Sequence, residues 1–251
     1  MLGVAILIIV MSVMNGFKTD LTNKILGLNP HVVINSNGFD IEEKFISNLK
    51  LKFKDINISK TFSGEGIVIS NDSAKGIIIK GIEVNNKNSL NFLKGNIRSG
   101  SIKKFVKNTA FIGSELAFNL NLEVGDRINL TSSAFVATPF GGLPKQETLI
   151  VSGVFNTGFN EFDQSFVYLN ILDALSIFDK VKKDQNLEIY VKDPLQANSY
   201  KKSIQELNQN FFVYTWSDLN KSFFNALKVE RNVMFIILTL IVVVAAFNII
   251  S

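Results

Sequence analysis

The stretch that decides the architecture runs from Asn232 to Ile250 and reads NVMFIILTLIVVVAAFNII, nineteen residues without a charged side chain. At about 1.5 Å per residue, a helix of this length covers roughly 28 Å, close to the hydrocarbon thickness of a bilayer. The sequence therefore predicts a membrane-spanning helix. Because the chain stops at Ser251, directly after this helix, we expect it to be part of a longer protein.

The other end of the chain is also apolar, reading MLGVAILIIVMSVMNG over residues 1–16. Its fourteen apolar residues cover only about 21 Å, which is too short to cross a bilayer alone. It lacks the basic segment and small-residue cleavage site of a signal peptide. Apolar residues then continue at steps of three and four, which predicts that the chain starts inside a longer helix leaving the membrane as an amphipathic stalk. This stripe comprises Val10, Met14, Phe17, Leu21, Ile25 and Leu28.

A second stalk is predicted before the nineteen-residue span, with Ser217 as its N-cap and Leu219, Phe223 and Leu227 on one side. The two stalks either pair along their apolar stripes or pack separately on the domain. The sequence thus divides into a first membrane helix and stalk (1–29), an extracytoplasmic domain (30–216), and a second stalk and membrane helix (217–251).

Composition excludes several classes of function. The chain has no cysteine, which removes disulfides, thiolate metal sites and cysteine nucleophiles. Its one histidine, His31, opens an apolar run and is interpreted as structural. The net charge of +4 is spread along the chain, which does not favour nucleic acid. No phosphate-binding loop is found, and Glu161 and Asp163 are interpreted as solvated loop residues. We expect no enzyme activity, cofactor or metal.

Between the stalks, strand-like runs outnumber helix-like runs and do not alternate with them, which predicts an α+β fold. The strand-like runs are 31–36, 56–63, 66–70, 75–84, 109–112, 127–132, 148–155, 165–169, 187–191 and 211–215, and the helix-like runs are 41–53, 114–120, 171–179 and 194–208.

One segment is unusual for a connection between strands. Residues 131–147 read TSSAFVATPFGGLPKQE, with an apolar and nearly uncharged centre from Pro139 to Pro144. Hairpin tips normally carry polar residues. The residues alone leave two alternatives open: a stiff, projecting element that binds a protein, or a loop folded back on its own domain.

Several motifs resemble the LolC/LolE family. Residues 12–17 (SVMNGF), 25–27 (ILG) and 30–31 (PH) follow the pattern of its first membrane helix and stalk, and 245–250 (AAFNII) that of its second. Residues 113–130, GSELAFNLNLEVGDRINL, resemble the G-x-x-L-A…L…V-G-D core motif of the wider MacB-like permeases.

The resemblance implies a MacB-like periplasmic core domain between the first two of four membrane helices, in a multi-pass protein of the bacterial inner membrane. Such a permease subunit works with a second permease, identical or sister, and with a cytoplasmic ATPase dimer. Together they extract lipoproteins from the inner membrane and pass them to a periplasmic carrier. ATP hydrolysis takes place in the partner, and the motion reaches the domain through the paired stalks.

The resemblance also implies two sites. The pattern T-P-x-G-x-x-P-x-Q of a carrier-capturing hairpin, the hook (near 135–147), is matched except that Gly142 stands where arginine is common. Val10 and Met14 are implied as contacts for lipoprotein acyl chains. The matching hook residues are Thr138, Pro139, Phe140, Gly141, Gly142, Leu143, Pro144, Lys145 and Gln146.

Two rival interpretations share this hydropathy profile. One is a two-helix receptor with an extracytoplasmic ligand domain and a cytoplasmic output. The other is a MacB-type efflux or mechanotransmission permease, which has the core motif without a proline-rich hook. The sequence beyond Ser251 distinguishes them, because a permease continues with two more membrane helices.

Overall fold

The structure is a computed structural model that describes residues 2–70, 73–84, 87–139 and 141–250. It divides the chain into two compact units. The first consists of residues 1–29 and 214–251, and the second of residues 30–213. Over the described ranges, no helix meets the combined length and apolarity needed to cross a membrane.

The first unit is helical. Its long helices, α1 (Leu2–Leu28) and α9 (Lys221–Ile250), contact each other. Phe17 and Leu219 are more than half exposed, so they do not belong to the buried seam, contrary to the predicted stripe. Positions that are half-buried instead recur every three or four residues, which is the spacing of one helix face. They are Met11, Met14, Leu21 and Ile25 on α1, and Phe224, Leu227, Met234, Leu238 and Ile241 on α9.

The start of the second helical segment differs from the prediction. Thr215, not Ser217, caps the short helix α8 (Trp216–Leu219), because its backbone N–H donates to Asp218 Oδ2 at 2.9 Å while its side chain accepts from the Asp218 N–H. This reciprocal capping box satisfies two helix-end groups at once. The sequence contains several hydroxyl residues in a row here, and the correct one depended on where the preceding strand ends.

The second unit contains most of the strands, and the described part of the chain has ten strands in one sheet. The strands are β1 (Val32–Asn35), β2 (Ile56–Ser70), β3 (Ser73–Ile82), β4 (Ile97–Gly100), β5 (Thr109–Gly113), β6 (Arg127–Thr138), β7 (Gly141–Phe155), β8 (Phe166–Asn170), β9 (Asn186–Val191) and β10 (Phe212–Thr215). The helices are α2 (Glu43–Lys52), α3 (Lys87–Asn96), α4 (Ser114–Asn119), α5 (Asn160–Asp163), α6 (Ile171–Ile177) and α7 (Ala197–Leu207).

Six of these strands close into a barrel. The path β2–β3–β8–β5–β7–β6 returns to β2, since β6 pairs with both β7 and β2. Closure leaves no free edge along this circuit. The other strands continue from β2 as β9, β1 and β10, while β4 pairs with β7. The mixed architecture with more strands than helices confirms the predicted α+β class.

Side chains that point inward from these strands form the largest core, capped by α4 and α6. Most have less than 2% of their surface exposed, so burial of apolar area is the main force holding the barrel together. The strand residues of this core include Val68, Ile79, Ala110, Ile112, Ile128, Leu130, Leu149, Val151, Val167 and Leu169.

The motif of residues 113–130 has a structural explanation. A Cβ atom at Gly113 would lie 1.9 Å from the carbonyl oxygen of Asp163, so only glycine fits there. Leu116 and Ala117 then bury one side of α4 in the barrel core. In the following turn, Asp126 Oδ2 accepts from the Glu123 N–H at 2.7 Å. The motif therefore records how α4 is fixed to the barrel.

Candidate functional site

The hairpin formed by β6 and β7 is the most exposed apolar feature of the second unit. Only residues 139 and 140 lie between its strands, so the predicted loop of Pro139–Pro144 is wrong in extent: β6 continues to Thr138, and β7 begins at Gly141. Gly141 has a φ of +118°, a conformation that favours glycine. The apolar segment is thus a two-stranded ribbon with a tight end.

The ribbon carries its apolar side chains on both faces. Val136 is directly opposite Leu143 on one face, and Phe135 is opposite Pro144 on the other. Phe135 is 67% exposed and Leu143 60% exposed, although paired strands normally bury at least one face. Within the second unit, the described residues therefore favour the projecting alternative over a loop folded back on its domain.

Pro144 is compatible with a strand because of its place in the pairing. In a two-residue hairpin the closing pair, here Thr138 and Gly141, is hydrogen-bonded, and hydrogen-bonded pairs alternate with non-bonded ones along the ribbon. Pro144 falls in a non-bonded pair, so its nitrogen faces the outer edge and the ladder loses no hydrogen bond.

A bulge separates the ribbon from the barrel. Between the pairs Thr131–Gln146 and Phe135–Pro144 the register shifts, so that three residues of β6 lie opposite Lys145 alone. Ser132 Oγ accepts from the Ala134 N–H at 3.2 Å, which holds the bulged backbone. Bulges bend the strand that contains them, so this one redirects the ribbon at the rim of the barrel.

The bulge is fixed to the end of α6. Ser132 Oγ donates to the carbonyl oxygen of Ile177 at 2.5 Å, and Lys145 Nζ donates to that of Ser176 at 2.6 Å. Carbonyl groups in the last turn of a helix have no partner within the helix, and a lysine there also favours the helix dipole. Both strands of the hairpin are thus anchored to the same helix end just below the exposed ribbon.

The predicted hook residues fall as follows. Pro139, Gly141, Gly142, Leu143 and Gln146 are exposed on the ribbon, whereas Lys145 is half-buried at its base. The side chain of Thr138 and all of Phe140 lie outside the described residues. A Cβ atom at Gly142 would make ordinary contacts of 3.5 Å with the Phe135 side chain, so a larger residue would fit there.

The sequence prediction missed Phe135 and Val136 as individual site residues. Their signal was the uncharged run Ala134–Ala137, directly before the apolar turn. Alternating residues of an exposed ribbon contribute to both faces, so the apolar turn and this run form one surface.

The first unit contains a second candidate site, a cavity of about 60 Å³ between α1 and α9. Met14 lines it, as the implied acyl-chain contact requires, whereas Val10 is 42% exposed and is not among the lining residues. The cavity combines apolar and charged groups. Its lining consists of Met11, Met14, Asn15 and Lys18 from α1, and Leu227, Glu230, Arg231 and Met234 from α9.

Two groups that could imitate a catalytic centre are structural. Asp163 is fully buried, so its interpretation as a solvated residue was wrong; it accepts hydrogen bonds from the Thr157 N–H and hydroxyl, while Glu161 is exposed. His31 Nδ1 accepts from the Val191 N–H at 2.9 Å, which confirms its structural role. Within the described ranges, no cluster of three or more His, Asp or Glu residues could hold a metal ion.

A buried ion pair lies on the opposite side of the sheet from the barrel interior. Lys80 Nζ is 2.8 Å from Glu188 Oε1, and the Tyr190 hydroxyl donates to Glu188 Oε2 at 3.2 Å. Burial raises the pKa of Tyr190 well above its ordinary value, and the charge of Glu188 adds to this shift. Since each charged group has a partner, the cluster is satisfied within the sheet.

Comparison with known families gives a match over residues 1–207 to the family described as MacB-like periplasmic core domain. The chain belongs to this family. Its members share the core motif, so the structural role of Gly113 and Leu116 explains part of what the match detects.

Curated relatives extend the similarity to both ends of the chain. It is 28% identical to the lipoprotein-releasing system transmembrane protein LolC of Neisseria meningitidis, over 100% of this chain. Identity is 30% with LolC of Buchnera aphidicola from Schizaphis graminum, over 99% of this chain, and 26% with LolE of Haemophilus influenzae, over 100%. These relatives confirm the resemblance to LolC/LolE. The chain covers 62% of the length of each of the three.

Solved structures are also similar. The periplasmic region of MacB from Actinobacillus actinomycetemcomitans has a TM-score of 0.49 and 15% identity, over 79% of this chain and 94% of that one. The extracellular domain of the noncanonic ABC-type transporter YknZ from Gram-positive bacteria has a TM-score of 0.48 and 14% identity, over 74% and 100%.

Proposed function

We propose that this chain is part of a permease subunit of a lipoprotein-releasing ABC transporter, and that its hook (residues 135–146) captures a periplasmic lipoprotein carrier. The observation that carries the proposal is the exposed ribbon of the MacB-like domain, which bears the T-P-x-G-x-x-P-x-Q pattern. An apolar ribbon exposed on both faces contributes little to folding. Its large side chains suit a pocket on a partner, where a few such anchors supply most of the binding energy.

The proposed membrane location has independent support from the sequence and the relatives. Residues 232–250 carry no charge, and the relatives are named as transmembrane proteins. In this arrangement α1 and α9 belong to membrane segments in the bacterial inner membrane, and the second unit lies in the periplasm. A second permease and a cytoplasmic ATPase dimer complete the transporter.

The cavity between α1 and α9 suits the lipid part of the substrate. Met11, Met14 and Met234 give it flexible apolar walls, which adapt to chains of different shape. Each acyl CH₂ group contributes about 0.8 kcal/mol to membrane anchoring, so removing a lipoprotein requires energy from ATP hydrolysis in the partner. The contact between α1 and α9 offers a mechanical route for that energy.

The test is a calorimetric titration of the reconstituted complex with the periplasmic carrier. Replacement of residues 138–146 by a short Gly-Ser turn should abolish binding while the circular dichroism spectrum of the barrel is unchanged. The matched control is Phe118→Ala, which removes a phenyl group that is 82% exposed on α4. Carrier binding that survives loop replacement would reject the hook, and release of lipoprotein without this protein would reject the transport function.

A further inference from the structure

The positive charge of the chain is concentrated in two segments of the second unit. Residues 50–55 and 192–202 together contain six lysines and two aspartates, a net charge of +4, which equals the net charge of the whole chain. Lys52, Lys54 and Lys192 are all exposed. The acidic residues of these segments, Asp55 and Asp193, do not balance them.

The fold brings the two segments together. The rings of Phe53 and Tyr200 lie 5.0 Å apart, and Ile56 pairs with Val191 in the sheet. Between the segments lies a solvent-open cleft of about 550 Å³. It is lined by Lys54, Asp55, Ile56, Asn57, Tyr190, Val191 and Lys192. Amine, amide and phenol groups of this kind recognise phosphate oxygens.

Two exposed leucines flank the lysines. Leu51 is 78% exposed and Leu195 is 71% exposed, and each lies within three residues of a lysine of the cluster. Exposed aliphatic side chains beside lysines are characteristic of protein surfaces that lie at the interface of a membrane. Charge and apolar exposure therefore point to the same kind of partner.

The basic end is also the end at which the chain enters the second unit. The His31 N–H donates to the Ile189 carbonyl oxygen at 3.0 Å, and the Val191 N–H donates to His31 Nδ1 at 2.9 Å. Pro30 directly follows α1 and Asn29, so Lys192 is close along the sheet to the point where the chain of α1 is attached.

We propose that this basic end, with Lys52, Lys54, Lys192, Leu51 and Leu195, binds the headgroups of anionic phospholipids at the membrane surface. The inference rests on the proposed membrane location of α1 and α9. Each lysine close to an anionic membrane strengthens attraction about fivefold, so three should contribute on the order of a hundredfold to the contact. Membrane contact would hold the domain in one orientation above the bilayer.

The absence of cysteine in the chain permits a clean test with single labels. A fluorophore on Gln196→Cys reports on the basic end, and one on Val244→Cys reports on α9. The labelled protein is reconstituted into phosphatidylcholine vesicles with or without phosphatidylglycerol, each containing a lipid with a quencher on its headgroup or in its acyl chain. We expect headgroup quenching at position 196 to rise severalfold with phosphatidylglycerol.

The contact should disappear in about 1 M salt, where the Debye length is roughly 3 Å, and in the variant Lys52→Gln/Lys54→Gln/Lys192→Gln. The matched control, Lys103→Gln/Lys104→Gln/Lys107→Gln, removes the same charge from exposed positions elsewhere and should leave it unchanged. Quenching at position 196 that does not depend on phosphatidylglycerol, salt or these lysines overturns the inference.

The label on α9 separates this failure from failure of the proposed function. Acyl-chain quenching at position 244 without headgroup quenching at position 196 places α9 in the bilayer and rejects only the basic surface. Absence of quenching at position 244 rejects the membrane location itself, and with it the basis of both proposals.

Discussion

The β6–β7 hairpin has two halves that share the same strands but have opposite environments. In the lower half, Leu130 and Leu149 are fully buried in the barrel, whereas Phe135 and Leu143 in the upper half are mostly exposed. The bulge beginning at Ser132 separates them. Apolar content alone thus does not distinguish a core strand from a binding strand; what distinguishes them is whether the sheet continues beside it.

The largest expected effect lies in the lower half. Leu130→Ala should lower the free energy of unfolding by about 3 kcal/mol, because it leaves a cavity in a closed core. Val136→Ala, in the upper half, should change it by less than about 0.5 kcal/mol. Chemical denaturation followed by circular dichroism measures both. Equal losses would show that the ribbon is packed against the protein and would end the contrast.

The reverse order is expected for carrier binding. Phe140→Ala should weaken it about thirtyfold if the ring occupies a pocket, since such anchors contribute about 2 kcal/mol and each 1.4 kcal/mol is tenfold. Phe135→Ala should also weaken it, whereas Phe118→Ala should not. Calorimetry provides the affinities, and unaltered binding by Phe140→Ala would reject that residue as the anchor.

The bulge supplies a test at the boundary. Ser132→Ala removes the hydrogen bond to the buried Ile177 carbonyl and should cost about 1 kcal/mol of stability. Carrier affinity should fall as well, since the ribbon loses part of its fixed direction. A variant that is less stable but binds with normal affinity would show that the bulge serves folding alone.

A smaller effect is expected from the rigidity of the ribbon. Pro144→Ala keeps most of the contact area but enlarges the conformational freedom of the free hairpin, at about 0.4–1 kcal/mol. Binding should weaken two- to fivefold. Calorimetry should assign the loss mainly to entropy, and a loss as large as that of Phe140→Ala would identify Pro144 as a contact.

The smallest effect concerns the helix that anchors the hairpin. Burial raises the pKa of Asp173 on α6, although its hydrogen bond from the Asn108 N–H opposes this. A raised pKa means that the folded state holds the proton more tightly, so this contribution to stability is present at low pH and is lost as the pH rises through the folded pKa. Melting curves across the acid range should therefore be flatter for Asp173→Asn than for the unmodified chain.

Much of the barrel could be predicted from the sequence because its strands are short, apolar and bounded by turns. Predictions failed where local chemistry and pairing disagree. β2 was divided in two at Gly64 and Gly66, although pairing continues through both. α3 was missed because its asparagine-rich sequence lacks a clear apolar periodicity.

The site was partly predictable for a related reason. Two prolines and two glycines indicated a loop, but Pro144 stands in a strand position whose nitrogen needs no partner. The bulge and its anchors on α6 depend on contacts between segments about thirty to forty-five residues apart, which no local pattern contains. The same holds for the α1–α9 seam, in which the predicted Phe17 is exposed.

The position of Pro144 also bears on self-association. A two-stranded ribbon with apolar side chains on both faces would ordinarily be a template on which further copies add strands, and crowding in a membrane would promote such growth. The missing donor of Pro144 interrupts the outer edge of β7, and Lys145 follows with a positive charge. The ribbon can therefore keep its apolar residues exposed to a partner while its own copies remain apart.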